Sequence, residues 1–123
     1  MAKQVERKAE ESIEEWIERL VKENAVVVFS KSYCPYCTMA KKEISAVRDV
    51  AGFDGAVVFE IDRMRDGNRI QQALARKTGR RTVPNVFVNG KSVGGGDDVV
   101  RLSRTKKLSP MIRDAVSAVS VSA

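Results

Sequence analysis

Apolar residues recur at spacings of three and four near the start of the chain: Val5, Ala9, Ile13, Trp16, Ile17, Leu20 and Val21, with Glu, Arg and Lys between them. This period predicts an amphipathic helix over residues 3–23, with Asn24 as its stop. Residues 25–30 (AVVVFS) then form a short, β-branched, continuously apolar run. Such a run suits a central strand buried on both faces. A helical pattern follows from Pro35 to about Val50, with Ala40, Ile44 and Val47 on the buried side. Proline is tolerated in a first helical turn, where its missing N–H costs nothing. Residues 52–55 break the chain, and residues 56–61 (AVVFEI) predict a second strand. Strand, helix and strand in this short a span imply a right-handed parallel unit. Asp66 and Gly67 open a third helix with Ile70, Ala73 and Leu74 inward and Gly79 as its stop. Residues 85–88 alternate as a strand, Asn89-Gly90 is a two-residue hairpin signal, and residues 91–94 return antiparallel. Asp97 and Asp98 can cap a short helix, and Leu108, Ile112, Ala115, Val116 and Val119 line a last amphipathic one. The sum is an α/β fold: a mixed four-stranded sheet with helices on both faces.

The 123 residues, 43% hydrophobic and 31% charged, fit one globular domain, with its core at about residues 13–119. No apolar run approaches the roughly 20 residues that cross a bilayer, so no membrane role is expected. The start, MAKQVERKAEES, has no apolar signal stretch and is rich in acids, unlike a transit peptide. That points to the cytoplasm, or to an organelle if a leader has been removed. The net charge is +6. Residues 3–23 hold five bases against seven acids, so the rest of the chain carries the whole positive excess. Residues 63–81 hold seven bases against Asp66 alone. A basic face draws anions, though it also serves plain solubility. Nucleic acid is not an expected partner, because aromatic residues make up only 6% and no groove-reading motif is present.

There is no histidine, which excludes His-based triads and His metal sites. The two cysteines, Cys34 and Cys37, form one C-x-x-C, half of what a zinc site needs. An idle buried pair is the other bland reading. The context favours redox chemistry, because the motif follows an apolar strand and opens an amphipathic helix. Cys34 would lie at the N-cap, facing free N–H groups at the positive end of the helix dipole, with Lys31 three residues earlier. Such surroundings can lower a cysteine pKa from about 8.5 to roughly 3.5–7.5. Cys34 is therefore the expected nucleophile. Cys37, one turn inside, is the expected resolving thiol, and Pro35 stiffens the turn. The Val83-Pro84 step after Thr82 reads most simply as a turn with a trans bond; a cis bond would present the Val83 backbone to a ligand. Gly94-Gly95-Gly96-Asp97-Asp98 is a flexible turn into a helix N-terminus: an ordinary cap, a carboxylate site, or an aspartate for an ammonium group.

Three stretches, FSKSYCPYC, IQQALARKTGRRTVPNVFVNGK and GGGDD, occur in order and together resemble a glutaredoxin of the dithiol class. The resemblance implies a thioredoxin-like fold with a cis bond before Pro84. It implies that glutathione (γ-Glu-Cys-Gly) is co-substrate, with no metal. By position, Lys31 and Gln71 would hold its glycine carboxylate and Tyr36 would flank the groove. The Val83 backbone would pair with its cysteine, with Thr82 beside it. The amides of Asp97 and Asp98 would take the γ-glutamyl carboxylate, and an Asp carboxylate the α-ammonium. The implied partners are glutathionylated or disulfide-containing proteins, served by a monomer. Two positions depart from the family pattern. Gly96 stands where the family often has Cys or Asn, which should loosen the loop. Lys106 stands where it often has Gly, so a helix C-cap glycine is missing. A second activity within the family is to bridge a [2Fe–2S] cluster between two protomers through the first Cys and glutathione. Pro35 argues against it, since small residues there favour that form.

Overall fold

In the computed structural model, which describes residues 5–122, four strands form one mixed sheet in the order β2-β1-β3-β4. β1 (Val26–Ser30) lies parallel to β2 (Val57–Glu60) and antiparallel to β3 (Asn85–Val88), which pairs antiparallel with β4 (Lys91–Gly94). All five residues of β1 are buried, as its unbroken apolar run requires for a strand covered on both faces. Side-chain alternation divides the core. Val27, Phe29 and Phe87 face α1 (Ile13–Glu23) and α3 (Gly67–Thr78), meeting Trp16, Ile17, Leu20, Ile70 and Leu74. Val26, Val28, Val86 and Val88 face α2 (Pro35–Ser45), α4 (Gly96–Arg104) and α5 (Leu108–Ser122), meeting Ala40, Ile44, Val99 and Ile112. On the first face Phe29 stacks on Phe59 at 5.5 Å, and Trp16 meets Phe59 edge-on at 5.1 Å. The hairpin is the expected one: Asn89 and Gly90 take φ of +55° and +79°, the left-handed pair of a two-residue turn. No helix among the described residues is long and apolar enough to cross a membrane.

The boundaries of α1, α2 and β2 differ from expectation, and β1 starts one residue late at Val26. The first helix begins at Ile13, not near residue 3; residues 3 and 4 lie outside the described residues. Ser12 stops it from extending backward with a capping box: its Oγ accepts the Glu15 N–H at 3.0 Å, and its own N–H donates to Glu15 Oε1 at 2.9 Å. The preceding segment folds back over α1. Trp16 Nε1 donates to the Val5 carbonyl, and Arg19 grips Glu11 and the Glu6 carbonyl. Val5 thus reaches the core without being helical, and Ala9 is exposed. α2 ends at Ser45, five residues early, where Val47 N–H turns to the Ile44 carbonyl and Val50 drops into the core. β2 spans Val57–Glu60, because Ile61 already begins a 3₁₀ turn (Ile61–Arg63).

Candidate active site

β1 delivers the chain to a short loop, and Cys34 follows as the N-cap of α2 with Pro35 at the first helical position. Its Sγ is half-buried and accepts the Cys37 N–H at 3.3 Å. On its other side the thiol points to the Val83 carbonyl at 3.8 Å. Cys37 is fully enclosed at 0% exposure, and its Sγ accepts the Lys31 N–H at 3.4 Å. Burial pushes the Cys37 thiol pKa above its ordinary value, with the hydrogen bond to Cys34 adding to the rise. Both cysteines are free thiols. Each sulfur accepts one amide, but the two occupy unlike places: Cys34 is partly open, whereas Cys37 is enclosed and harder to ionise.

A carboxylate that sequence reasoning missed holds the loop before Cys34. Asp62 accepts the Ser32 N–H at 2.9 Å and the Ser32 hydroxyl. Ser32 thereby holds the Asp62 carboxyl below the usual carboxylate range. The signal was the parallel register. With Ser30 opposite Glu60, residue 62 falls beside residue 32. That register is visible only once the strands are paired.

The facing wall is the loop before β3. The Val83-Pro84 bond is cis. Pro84 is buried, Val83 half-buried and Thr82 exposed. Two side chains fix this loop from behind: Gln71 Nε2 donates to the Arg81 carbonyl at 2.9 Å, and Arg80 Nε to the Pro84 carbonyl at 3.1 Å. Arg80 was another residue the sequence did not single out. Its guanidinium lies against Gly95.

The third wall is the start of α4. Gly95 is the N-cap, and Asp98 Oδ2 accepts its N–H at 2.8 Å. Asp98 Oδ1 also faces Arg101 at 3.5 Å, so the Asp98 carboxylate caps its own helix, while Asp97 stays exposed. Gly96 does not loosen this loop, contrary to expectation. It is buried, and a Cβ there would lie 2.7 Å from the Tyr36 carbonyl oxygen. The bare glycine lets the starts of α2 and α4 touch. The missing glycine at 106 is likewise absorbed locally. Lys106 itself takes φ of +61°, and the Lys107 N–H reaches the Leu102 carbonyl at 2.8 Å, a Schellman closure.

The structure brings only some of the expected residues into contact with Cys34. Cys37 and Val83 touch it, and Tyr36 meets Gly96. Lys31 and Gln71 line one open pocket of about 300 Å³ together with Tyr33, Asp62, Arg65 and Asn68. Asp98 lines a different hollow, with Arg80 and Ser92. Among the described residues no group of three or more Cys, Asp or Glu side chains is placed to hold a metal ion.

The glutaredoxin family model matches residues 26–93. A glutaredoxin of Ricinus communis is 50% identical over 96 residues, 78% of this chain and 89% of that protein. Glutaredoxin-C6 of Oryza sativa subsp. japonica is 47% identical over 92 residues, 73% of this chain and 76% of that one. Among solved structures, the buckwheat glutaredoxin–glutathione complex superimposes with a TM-score of 0.74 at 41% identity, covering 84% of this chain and 89% of that one. With a family match spanning strands β1 to β4 and both cysteines, the chain belongs to the glutaredoxin family, with a thioredoxin-like fold.

Proposed function

We propose that the protein is a glutathione-dependent thiol–disulfide oxidoreductase that reduces protein–glutathione mixed disulfides and protein disulfides through Cys34 and Cys37. The observation that carries this reading is the inequality of the two sulfurs. Cys34 is reachable at a helix N-cap, while Cys37 is enclosed one turn deeper and burial pushes its thiol above the ordinary pKa. The relative solved with glutathione supports the choice of co-substrate.

The Cys34 thiolate attacks the glutathionyl sulfur of a mixed disulfide. The protein thiolate leaves and takes a proton, and Cys34 carries glutathione as a disulfide. A second glutathione thiolate attacks that glutathionyl sulfur, releasing glutathione disulfide and regenerating Cys34. With a protein disulfide, Cys34 attacks first. Cys37 then gives up its proton, displaces the substrate sulfur and closes the Cys34–Cys37 disulfide. The raised pKa of Cys37 keeps it a thiol until that step. Glutaredoxin potentials of roughly −200 to −230 mV let a glutathione pool drive the cycle. No organic redox cofactor or metal is required, and a monomer in a glutathione-rich compartment such as the cytoplasm suffices.

The groove has a matching group for each end of glutathione. Lys31 and Gln71 offer a cation and a second amide N–H to the glycine carboxylate. The Val83 backbone, presented by Pro84 and flanked by Thr82, pairs with its cysteine, and Tyr36 borders the groove. The first-turn amides of Asp97 and Asp98, which helix geometry leaves without carbonyl partners, take the γ-glutamyl carboxylate beside Gly96, which lets α4 sit close to Tyr36. The α-ammonium falls to Asp97, since the Asp98 carboxylate is occupied by Gly95 and Arg101.

The test is glutathione-driven reduction of a glutathionylated peptide, coupled to glutathione reductase. Wild type and Cys37→Ser should turn over and Cys34→Ser should not. Loss of turnover in Cys37→Ser would overturn the assignment of roles. A brown protein with visible absorption on purification would instead support the cluster-bridging activity.

A further inference from the structure

We propose that Arg63 and Arg65, beside the Cys34 loop, form a docking ledge for protein substrates that carry acidic residues next to their reactive cysteine. This rests on the oxidoreductase reading of the site. The parallel register of β1 and β2 and the Ser32–Asp62 contact bring the 3₁₀ turn alongside the loop that leads to Cys34. Arg65 lines the same pocket as Lys31 and Tyr33, and Tyr33 is 72% exposed one residue before Cys34. Arg63 ends the 3₁₀ turn one residue after Asp62, and Arg65 follows on the same exposed edge.

The charge there is positive in excess: Arg63 and Arg65 stand against Asp62. Among the described residues of the basic stretch 63–81, Arg69 pairs with Asp66, Arg76 with Glu14 and Lys77 with Glu18. Arg63 and Arg65 are exposed and form no ion pair among the described residues. Asp62, one residue before Arg63, stays ionised while it accepts from Ser32 and offsets part of the Arg63 charge, and Asp66 is shared by Arg7 and Arg69. The ledge therefore keeps a net positive charge beside the thiol, where like-charged substrates are repelled and acidic ones drawn in. Lys31 and Gln71, deeper in the pocket, are assigned to glutathione; the two arginines are left to the protein that carries it. Exposed pairs are individually weak, so two arginines should give a preference of roughly three- to tenfold at low salt, fading as ions screen them.

The test uses three glutathionylated peptides that differ only in the residues flanking cysteine: Glu, Gln or Lys. The readout is the ratio of kcat/KM between the Glu and Gln peptides, which cancels any general loss of activity. It is measured for wild type, for Arg63→Gln/Arg65→Gln, and for Arg104→Gln/Lys107→Gln at the far end of α4. The expected ratio in wild type is about three to ten, falling with added NaCl. It should collapse to near one in the first variant and persist in the second. A ratio near one in wild type, or a ratio that survives in the first variant, would overturn the ledge. No turnover of any peptide by wild type would overturn the underlying oxidoreductase reading instead.

Discussion

Lys106 is the residue whose backbone most clearly works against its side chain. It closes α4 at φ of +61°, the left-handed region, where an L-residue other than glycine is strained by about 1–2 kcal/mol. Its side chain is exposed, so little packing is lost on removing it. Glycine at this position would relieve the strain but add about 0.4–1 kcal/mol of backbone entropy to the unfolded chain. The difference predicts that Lys106→Gly stabilises the protein by about 0.5–1 kcal/mol, or about 2–4 °C in Tm for a domain of this size. Thermal unfolding followed by circular dichroism, with urea titration alongside, would measure it. Lys106→Ala serves as control: it keeps the Cβ and should leave stability nearly unchanged. If Lys106→Gly is no more stable than wild type, the left-handed closure carries no strain and the reasoning fails. Activity should be untouched, because the turn joins α4 to α5 at the end remote from Cys34.

Gly67 should not tolerate a side chain. A Cβ there would fall 2.0 Å from the Ile61 carbonyl, so Gly67→Ala is expected to cost at least about 1–3 kcal/mol in urea denaturation. An unchanged midpoint would mean α3 does not start that close to the 3₁₀ turn. Arg19 holds the Glu11 carboxyl down to about 2, against an ordinary 4.5. A depressed folded pKa gives stability that is complete above 4.5 and lost as pH falls toward 2. Trp16 fluorescence should report release of the 5–11 segment in that window, and Glu11→Gln should abolish the acid step. Alkylation of the reduced protein near neutral pH should mark Cys34 first and leave Cys37 unmodified, as its burial and raised pKa require. Equal labelling read by mass spectrometry would contradict the difference between the two thiols.

The parts of the fold legible in the chain are those set by local pattern. The apolar run of β1, the Asn89-Gly90 turn and the Gly79 stop each carry their own physical signal, and each is where it was expected. The first helix was misread because period alone was followed through Val5 and Ala9. The counter-signal, Ser12 three residues before Glu15, was in the sequence as a capping box. What pulls residues 5–11 out of a helix is non-local: an indole N–H and an arginine further along the chain. At the site, Cys34 and Cys37 were legible as one short motif, whereas Val83-Pro84 by itself reads as a trans turn and its cis bond was implied only by the family resemblance. The Asp62 clasp on Ser32 and the Arg80 brace on Pro84 were not legible, since each depends on strands or loops brought together by the tertiary fold. Gly96 was read as slack for the same reason. Its tightness exists only against the Tyr36 carbonyl.

The most direct test of the account is to trap the covalent intermediate. Cys37→Ser and Cys34→Ser proteins would each be incubated with a glutathionylated peptide and examined by mass spectrometry after acid quenching. The account predicts one glutathione on Cys34 in the Cys37→Ser protein and none on Cys37 in the Cys34→Ser protein. Glutathione on Cys37, or the peptide rather than glutathione on Cys34, would contradict it.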